Sequence, residues 1–372
     1  MNKPRLRILH LTAGSDAGGL SRYLLDLCAG LVDRGHEVIL AGERGAWHDR
    51  FEKAGWRWID IPLKGGPLSF WKSVRTLRNF LAEHPVDVMH AHTRRATLLG
   101  RRLQARGAPP LLYTLHLSHM PLNLGRRWLS DFGDHTHAAS LDGRQWLLDE
   151  HLVAEDRITV IPHGIDAARF PVATDADRHV ARTLLGLRAE DLVAAYVGRL
   201  DYPKNVDWLI DLASASRSTL PALKILLAGD GPDEPAIRQL IAARELGDRV
   251  RVLGHRAPLP IYQAADALFL ASLREGFSLV TAEAMCAGIP VLRTHTSGTA
   301  ELILENVTGR STAIEHDAFI SAAVEFLSHP DKLRVMGRAA AFHVREELTF
   351  SRQLEQTLEL YNKLINDRKS RI

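Results

Sequence analysis

REGFSLVTAEAMCAGIPV, at residues 274–291, is the stretch of this chain that decides its fold. It follows an apolar run at residues 267–271 that is typical of a buried strand. Its small, helix-favouring residues end at Gly288-Ile289-Pro290, which is a helix-stop pattern. The stretch therefore predicts a strand, a turn and a helix in succession, with free N–H groups at residues 276–280. α/β sheets bind ligands at the carboxyl ends of their strands, and the dipole of the following helix favours an anion there.

Two glutamates, Glu275 and Glu283, lie in this stretch with seven residues between them. A carboxylate does not bind phosphate, but it accepts hydrogen bonds from the vicinal hydroxyls of a sugar or a ribose. Two carboxylates beside an anion site therefore predict a ligand that carries both phosphate and sugar.

Length and composition predict a globular chain of two α/β domains. The 372 residues exceed one ordinary domain, and 46% hydrophobic residues suffice for two cores. The formal net charge of +3 is too small to indicate nucleic-acid binding. Cys28 and Cys286 lie in apolar helix patterns, which predicts reduced core residues of a cytoplasmic protein. We expect neither a signal peptide nor a membrane span, so that any membrane contact would be peripheral, at the inner face of the cytoplasmic membrane.

Residues 88–130 contain no Asp or Glu, although they are rich in arginine. The arginines of this segment are Arg94, Arg95, Arg101, Arg102, Arg106, Arg126 and Arg127. Three of them, Arg95, Arg102 and Arg106, share one face of a predicted helix. A solvated face is the default interpretation, but the absence of acids leaves room for an anionic acceptor or anionic lipid headgroups.

Apolar runs alternate with helical patterns along both halves of the chain, which predicts parallel, doubly wound sheets. The predicted strands of the first half are 6–11, 37–41, 58–61, 86–90, 111–114, 136–139 and 158–161, and those of the second half are 192–197, 224–228, 250–253, 267–270 and 291–292. Pro and Gly near residues 161–171 indicate a boundary. We expect domains at 1–168 and 169–349, with a last helix at 350–372 that crosses back to the first domain.

Further candidate residues follow other predicted strands. Arg199 and Lys204 come just after the strand at 192–197, where two cations are suited to neutralise a diphosphate and stabilise its developing charge. Taken alone, they would be interpreted as solvated loop cations, but Pro203, which stiffens the turn, and the anion site near Gly276 favour the diphosphate interpretation. Gly18 and Gly19 lie in a turn between a strand and a helix, which is typical of close approach to a ligand or of packing. The turn at 229–232 has the same two interpretations.

The histidines and one acidic pair are open to a metal interpretation. His116 follows the strand at 111–114 and is placed to donate to a phosphate or a sugar hydroxyl. Together with His90, His92 and His119 it also forms a candidate metal cluster, which we disfavour because no obvious Asp and Lys partners follow the strand. Asp175-Ala176-Asp177 has the form of a metal-binding Asp-x-Asp, but its place before a helix favours capping.

Taken together, these motifs resemble the retaining family-4 glycosyltransferases of the GT-B fold. The resemblance extends through nearly the whole chain and is carried by Gly18-Gly19, residues 161–166, Gly198-Arg199-Leu200 with Lys204, residues 229–232, residues 275–291 and Ser297-Gly298. The Glu-x7-Glu element is the specific part of it. The resemblance implies two Rossmann-like domains facing across a cleft, with the acceptor bound by the first domain and the nucleotide-sugar mainly by the second.

The resemblance also implies roles for individual residues. Glu275 would contact hydroxyls of the donor sugar, Glu283 the ribose, and Arg199 with Lys204 the diphosphate. The implied catalytic residues are Arg199, Lys204, Glu275 and His116, and the implied donor-binding residues are Gly18, Gly19, Gly231, Arg256, Gly276, Phe277, Ser278, Leu279 and Glu283. Neither a cofactor nor a metal is expected. The chain departs from the family pattern at His163, where Asn is usual, at Asn205, where Gly is usual, and at Arg293, where a small residue is common.

The resulting hypothesis is a metal-independent, retaining transfer of a sugar from a nucleoside diphosphate sugar, with UDP favoured, to a glycan or lipid-linked glycan in surface polysaccharide assembly. Three alternatives stay open. A retaining glycoside hydrolase would use Glu275 and Glu283 as its carboxyl pair, but it gives no role to Arg199 and Lys204. A UDP-sugar 2-epimerase would convert the donor without an acceptor, and a non-catalytic sensor would only bind it.

Overall fold

The computed structural model describes residues 4–16, 18–104, 108–120 and 130–370, and it divides into two compact units. Unit 1 comprises Met1–Pro162 and Ser351–Ile372, and unit 2 comprises His163–Phe350. We expected boundaries after residues 168 and 349, whereas the structure has them after 162 and 350. Each unit contains its own parallel sheet with helices, so the predicted class of two Rossmann-like α/β domains is confirmed.

In its described part, unit 1 contains a seven-stranded parallel sheet with the order β3-β2-β1-β4-β5-β6-β7. The strands are β1 (Arg7–Gly14), β2 (Glu37–Glu43), β3 (Arg57–Asp60), β4 (Val88–Ala91), β5 (Leu111–Leu115), β6 (His135–Ala138) and β7 (Ile158–Val160). The helices are α1 (Gly19–Asp33), α2 (His48–Lys53), α3 (Pro67–Glu83), α4 (Arg94–Leu103), α5 (Leu141–Asp149) and the C-terminal α14 (Phe350–Lys369). Strands β4, β5 and β6 are buried along their whole length, as expected of a parallel sheet covered on both faces.

Helix α14 packs in unit 1 although it follows unit 2 in the chain. Its residues Leu354, Leu358, Tyr361 and Leu364 are buried at helical spacing. The Tyr361 hydroxyl lies 2.6 Å from Nδ1 of His90, in the central strand β4. A buried polar contact of this kind ties the end of the chain to the sheet of unit 1.

In its described part, unit 2 contains a six-stranded parallel sheet with the order β10-β9-β8-β11-β12-β13. The strands are β8 (Leu192–Val197), β9 (Leu223–Ala228), β10 (Val250–Gly254), β11 (Ala267–Leu270), β12 (Val291–Thr294) and β13 (Gly309–Thr312). The helices are α6 (Asp175–Leu184), α7 (Asp207–Ala215), α8 (Glu234–Ala243), α9 (Pro258–Ala264), α10 (Leu279–Cys286), α11 (Thr299–Leu302), α12 (His316–Leu327) and α13 (Pro330–Glu347). We did not predict β13, because its sequence Gly-Arg-Ser-Thr carries none of the apolar residues that mark a strand.

Two local predictions in the sequence are confirmed. Thr174 is the N-cap of α6, and it exchanges hydrogen bonds with Asp177 in a capping box. Asp175 and Asp177 therefore lie in the first turn of a helix, where negative charges interact favourably with the helix dipole. Cys28 and Cys286 are buried and free.

The turn after β9 packs directly on the turn after β8. A Cβ atom at Gly229 would lie 1.7 Å from the carbonyl oxygen of Gly198, and the φ angle of Gly229 is 150°, so only glycine fits. We expect Gly229→Ala to lower the free energy of unfolding of unit 2 by about 3 kcal/mol, because both the backbone strain and the clash oppose it.

Urea unfolding followed by the fluorescence of Trp208, which lies in unit 2, measures this effect. The matched control is Gly247→Ala, because a Cβ at Gly247 meets no atom within 4 Å. We expect the control to stay within about 0.5 kcal/mol of the wild type. Equal stability of the two variants would contradict the close approach at Gly229.

Candidate functional site

The strand order of unit 2 reverses between β8 and β11. From β8 the chain continues to β9 and β10 on one side, whereas β11, β12 and β13 extend the sheet on the other side. Crevices at such a reversal, outside the carboxyl ends of the strands, are where open α/β sheets bind ligands. The segments that follow β8 and β11 carry Arg199, Lys204, Glu275 and the start of α10, and the sheet therefore brings most of the predicted unit 2 site to its switch point.

An ion pair joins the segments after the two strands. Nζ of Lys204 lies 2.7 Å from Oε1 of Glu275, and the two side chains are only 24% and 12% exposed. The hydroxyl of Ser272 donates to the same oxygen at 2.7 Å. Lys204 ends a short 3-10 turn at Tyr202–Lys204, and Asn205 follows it in the left-handed region with φ 45°. Asn tolerates this conformation better than most residues with a side chain, which explains why it replaces the usual glycine.

Glu275 is held ionised by its surroundings. Burial raises the pKa of its carboxyl, but the charges of Lys204 and Arg293 and the hydrogen bonds from Lys204 and Ser272 outweigh burial. The pKa therefore lies below the usual range of a glutamate. An ionised carboxylate that is partly buried is well suited to accept hydrogen bonds from sugar hydroxyls.

Arg199 is the more exposed of the two predicted diphosphate cations. Its side chain is 61% exposed and pairs at 3.3 Å with Asp201 in the same turn. The Tyr196 hydroxyl donates to the Arg199 carbonyl at 2.5 Å and so anchors the backbone of this turn. The guanidinium is therefore accessible to an anion from solvent. An exposed ion pair contributes little free energy, so an anion can replace Asp201 as its partner.

The start of α10 has strained backbone at the predicted ligand site. Ser278, its N-cap, has φ 67° and ψ 79°, which is uncommon for a residue other than glycine. Phe277 is buried and its ring packs edge-on against His163 at 5.3 Å between centroids. Gly298 approaches so closely that a Cβ there would lie 2.6 Å from the Phe277 carbonyl oxygen. Packing on both sides thus fixes the turn that presents the amides of Gly276 to Leu279.

Glu283 lies inside α10 and is 7% exposed. The Tyr262 hydroxyl donates to its Oε2 at 3.0 Å. The two glutamates of the Glu-x7-Glu element therefore have separate partners, one a lysine and the other a tyrosine. This difference in surroundings agrees with two different binding roles rather than with one acid and base pair.

The remaining unit 2 residues of the predicted site lie at the ends of β9 and β10. A Cβ at Gly231 would lie 2.2 Å from the Leu200 carbonyl oxygen, so close packing already explains this glycine. Arg256 is exposed, and its Nε donates to the Leu253 carbonyl at 3.1 Å. Binding roles for Gly231 and Arg256 stay predictions.

Unit 1 carries the other three predicted residues, Gly18, Gly19 and His116. Gly18 caps α1 with φ 148°, and a Cβ at either glycine would meet no described atom within 4 Å. Packing therefore does not explain these glycines. His116 follows β5, is partly buried, and its Nε2 lies 3.2 Å from Nδ1 of His92.

A cluster of histidines lies at the switch point of unit 1, between β1 and β4. Among the described residues, His10, His90 and His92 offer ligand atoms within 4.8 Å of one another. We had grouped His119 with this cluster, but its Nε2 pairs with Asp142 at 2.8 Å, and the group of three does not include it. His10 joins the cluster instead, because β1 pairs with β4 and places His10 opposite His90.

Both ring nitrogens of His90 already have partners, Tyr361 and Thr114, each at 2.6 Å. Coordination of a cation would break one of these buried hydrogen bonds. Thr114 in turn lies 3.0 Å from Nδ1 of His137, whose Nε2 donates to the Ile161 carbonyl at 2.7 Å. The arrangement fits a chain of neutral, hydrogen-bonded rings.

The arginine-rich segment is not free of acids in three dimensions. Arg101 forms ion pairs with Asp131 at 2.8 Å and with Asp134 at 2.7 Å, both of which follow the acid-free segment in the sequence. Arg95 and Arg102 stay exposed on α4. The predicted contributions of Arg106, Arg126 and Arg127 lie outside the described residues.

The sequence profiles of two protein families match this chain. The profile described as "Glycosyl transferases group 1" matches residues 177–342, and the one described as "Glycosyltransferase Family 4" matches residues 17–169. The chain belongs to the family 4 glycosyltransferases. The predicted family and the predicted GT-B fold are thereby confirmed, and the chain is a glycosyltransferase.

Individual relatives and solved structures agree with this assignment. The chain is 27% identical over 393 residues to a D-inositol 3-phosphate glycosyltransferase of Nocardia farcinica, covering 93% of this chain and 85% of that relative. It is 26% identical to the putative glycosyltransferase EpsD of Bacillus subtilis, covering 82% and 84%. The fold is similar to that of HepE of Anabaena, solved in complex with UDP, with a TM-score of 0.85, 22% identity and coverage of 96% and 100%.

Arg293 is the residue of this site whose importance we did not predict. We noted it only as an unusual residue in the family pattern, whereas the structure places its guanidinium in the interior near Glu275. The signal in the sequence was a charged residue directly after the apolar run at 291–292.

Proposed function

We propose that this glycosyltransferase moves a sugar from a nucleoside diphosphate sugar to a hydroxyl acceptor, with retention at the anomeric carbon and without a divalent metal. One observation carries the proposal: the pair of Lys204 and Glu275 at 2.7 Å, beside the start of α10 at the switch point of unit 2. A cation for phosphate, a carboxylate for sugar hydroxyls and free backbone amides lie together there.

The charges of the site suit departure of a diphosphate. Negative charge grows on the leaving phosphate oxygen as the bond to the sugar breaks. Lys204 and Arg199 would stabilise this charge more in the transition state than in the bound donor, which is the condition for faster chemistry. Glu275 would hold the sugar through its hydroxyls, and Glu283 would hold the ribose. We assign no protein nucleophile, and a leaving phosphate oxygen would serve as base in attack from the same face.

UDP is the favoured nucleotide of the donor. Structures of HepE of Anabaena with UDP and with UDP-glucose support this choice by similarity of fold. The stretch Gly254-His255-Arg256, at the end of β10, would hold the base. His116 and the glycines Gly18 and Gly19 of unit 1 would contact the donor as well.

Nucleotide release from UDP-, GDP- and ADP-sugars, with and without a hydroxyl acceptor, tests the proposal. We expect release of UDP that depends on the acceptor, and a product whose anomeric configuration by NMR equals that of the donor. Hydrolysis of a plain glycoside would instead indicate a hydrolase, and conversion of the donor without acceptor an epimerase. Inversion at the anomeric carbon would contradict the retaining mechanism, and activity abolished by EDTA would contradict metal independence.

The acceptor is proposed to be a glycan or lipid-linked glycan met at the inner face of the cytoplasmic membrane. Within the described residues, no helix is long and apolar enough to cross a bilayer. Helix α3 carries an exposed face at spacing i, i+3, i+4 and i+7, formed by Leu68, Trp71, Lys72 and Arg75. Leu68 is 88% and Trp71 54% exposed.

The segment that forms this face carries only positive charges. Residues 62–82 contain no Asp or Glu, and the guanidinium of Arg102 on α4 lies 6.0 Å from the centre of the Trp71 ring. Exposed aromatic and leucine side chains among cations are typical of surfaces that dock on anionic lipid. Anionic headgroups are therefore the proposed partner of the α3 face.

We expect the protein to sediment with vesicles that contain phosphatidylglycerol and not with pure phosphatidylcholine. Arg75→Gln and Trp71→Ser should each weaken binding about fivefold, because one interfacial cation contributes about 1 kcal/mol. Phe342→Ser, which removes a 70% exposed aromatic ring of unit 2, is the control and should bind like the wild type. Equal losses in all three variants would contradict docking through α3.

A further inference from the structure

Arg293 is a buried cation without a close counter-ion. It is the third residue of β12, where it pairs with Leu270 of β11 and with Ser311 of β13. Its side chain is 0% exposed, and it is the largest by volume of the fully buried side chains among the described residues. Its Nη2 donates to Thr296 at 2.6 Å and to the Ser297 carbonyl at 3.2 Å.

The other nitrogens of this guanidinium have no partner. Among the described residues, neither Nε nor Nη1 of Arg293 finds a hydrogen-bond acceptor, and no carboxylate lies within 4.0 Å of it. Burial lowers the pKa of Arg293 to about 10, so that it stays charged at neutral pH. Burial of a charged group with two N–H donors that lack acceptors costs free energy. Strongly perturbed ionisable groups of this kind are concentrated at functional sites.

The functional neighbour is Glu275. Thr294, next to Arg293 in β12, donates to the Ser272 carbonyl at 2.5 Å, and the Ser272 hydroxyl donates to Glu275. Three titratable groups of the described chain interact electrostatically with Glu275: Lys204 and Tyr196, from β8 and the turn after it, and Arg293 from β12. Glu301 of α11 acts on Arg293 in turn. Arg293 is the interior cation of this set, whereas Lys204 lies nearer to solvent.

In the proposed function Lys204 has two partners, the carboxylate of Glu275 and the diphosphate of the donor. Its ammonium pairs with Glu275 in the structure, but the incoming diphosphate requires the same ammonium. Were Lys204 the sole counter-ion, its departure would leave a partly buried carboxylate unpaired, and that carboxylate would take up a proton. A protonated Glu275 would lose one acceptor for the sugar hydroxyls.

We propose that the interior positive charge of Arg293, beyond ion-pair distance, is a permanent influence on Glu275, and that Arg293 is a positioning residue that keeps this carboxylate ionised when Lys204 leaves it for the donor phosphate. The inference rests on the proposed function and deepens it. Arg293 acts through Glu275 and does not itself touch the donor. Its fixed position in the sheet suits this role, because a residue of a strand that is paired on both sides does not move with the ligand.

Proton uptake on binding of UDP tests the role directly. Calorimetric titration at pH 6 in buffers of different ionisation enthalpy gives the number of protons taken up per UDP bound. The terminal phosphate of UDP also titrates at about pH 6, so the difference between variant and wild type reports Glu275. We expect Arg293→Met to take up close to one proton more per UDP than the wild type, with a Kd raised about tenfold at pH 8, because Glu275 then loses its interior cation. Arg293→Lys, which keeps the charge, should restore the wild-type Kd and the wild-type number of protons.

Arg249→Met is the matched control, since Arg249 is also a buried arginine of unit 2 that donates to backbone carbonyls, at Pro221 and Leu220. It should bind UDP like the wild type. Arg293→Gln replaces Arg293→Met should the latter not fold. Binding by the neutral variants with the wild-type Kd and the wild-type number of protons per UDP would overturn the role of Arg293. A wild type that binds UDP but turns over no UDP-sugar would overturn only the proposed function, and one that binds no UDP would overturn both.

Discussion

Lowering the pH from 8 to about 5.5 is expected to remove most of the stability of unit 1. Five histidines in its sheet or directly after a strand of it are at most 4% exposed: His10, His90, His92, His135 and His137. Burial lowers the pKa of His10 to about 3 and the pKa values of His135 and His137 to about 4, and it holds those of His90 and His92 well below the usual range. The folded unit therefore keeps all five rings neutral at pH 5.5.

The unfolded chain behaves differently, because its histidines have the ordinary pKa of about 6.5. Above that pH neither state binds these protons, and the stability is complete. Below it the unfolded chain takes up protons that the folded unit does not, so the free energy of unfolding falls with pH until the folded pKa values are reached. One pH unit below 6.5, each ring contributes about 1.4 kcal/mol, and five contribute roughly 7 kcal/mol. A whole domain is stable by about 5–15 kcal/mol.

Tryptophan fluorescence during urea unfolding measures this loss, because Trp208 is the one tryptophan of unit 2 and the other six belong to unit 1. The slope of the free energy of unfolding against pH gives the difference in bound protons between the unfolded and folded states. His10→Gln should reduce this difference by up to one proton below about pH 6.5. His179→Gln, which replaces an exposed histidine of α6, should leave the slope unchanged. A stability of unit 1 that stays constant between pH 7 and 5.5 would show that the rings are not neutral in the folded state.

The fold was largely predictable, since a buried parallel strand requires an uninterrupted apolar run, and the runs at 192–197 and 267–270 match β8 and β11. The prediction was less accurate where sequence and burial disagree. Strand β13 is a short edge strand without apolar residues, and the histidines of β4 and β6 lie in a core that their polarity does not indicate. Hydrogen-bonded rings satisfy one another there, a property of contacts and not of residue type.

The residues of the site were predictable from the sequence, whereas their hydrogen-bond and ion-pair partners were less so. Carboxyl ends of neighbouring parallel strands must meet, so Lys204 after β8 and Glu275 after β11 had to lie near each other. Their ion pair and the separate partner of Glu283, Tyr262, depend on side-chain rotamers that no spacing specifies. Arg101 shows the same limit, because its partners Asp131 and Asp134 lie beyond the segment that lacks acids.

Lys204→Met is expected to lower the turnover number for the donor by about 100- to 1,000-fold, corresponding to about 2.7–4 kcal/mol of transition-state stabilisation, as for loss of one preorganised charge-stabilising group. Methionine keeps the length and apolar stem of lysine but removes the ammonium. The leaving diphosphate then loses a cation, and Glu275 loses the partner that lies 2.7 Å away. The loss should appear in kcat more than in KM, because charge on the phosphate grows mainly as the bond breaks.

The control for Lys204→Met is Lys224→Met in the same unit, where the lysine only donates to the Asp248 carbonyl at 2.8 Å and where we expect turnover within twofold of the wild type. Glu275→Gln separates the two losses, since it removes the carboxylate and leaves Lys204 for the phosphate. A slower rate in Glu275→Gln with a raised KM for the donor would assign sugar binding to Glu275. Near-normal turnover in both Lys204→Met and Glu275→Gln would contradict the proposed site, because among the described residues no other ion pair joins the segments after β8 and β11.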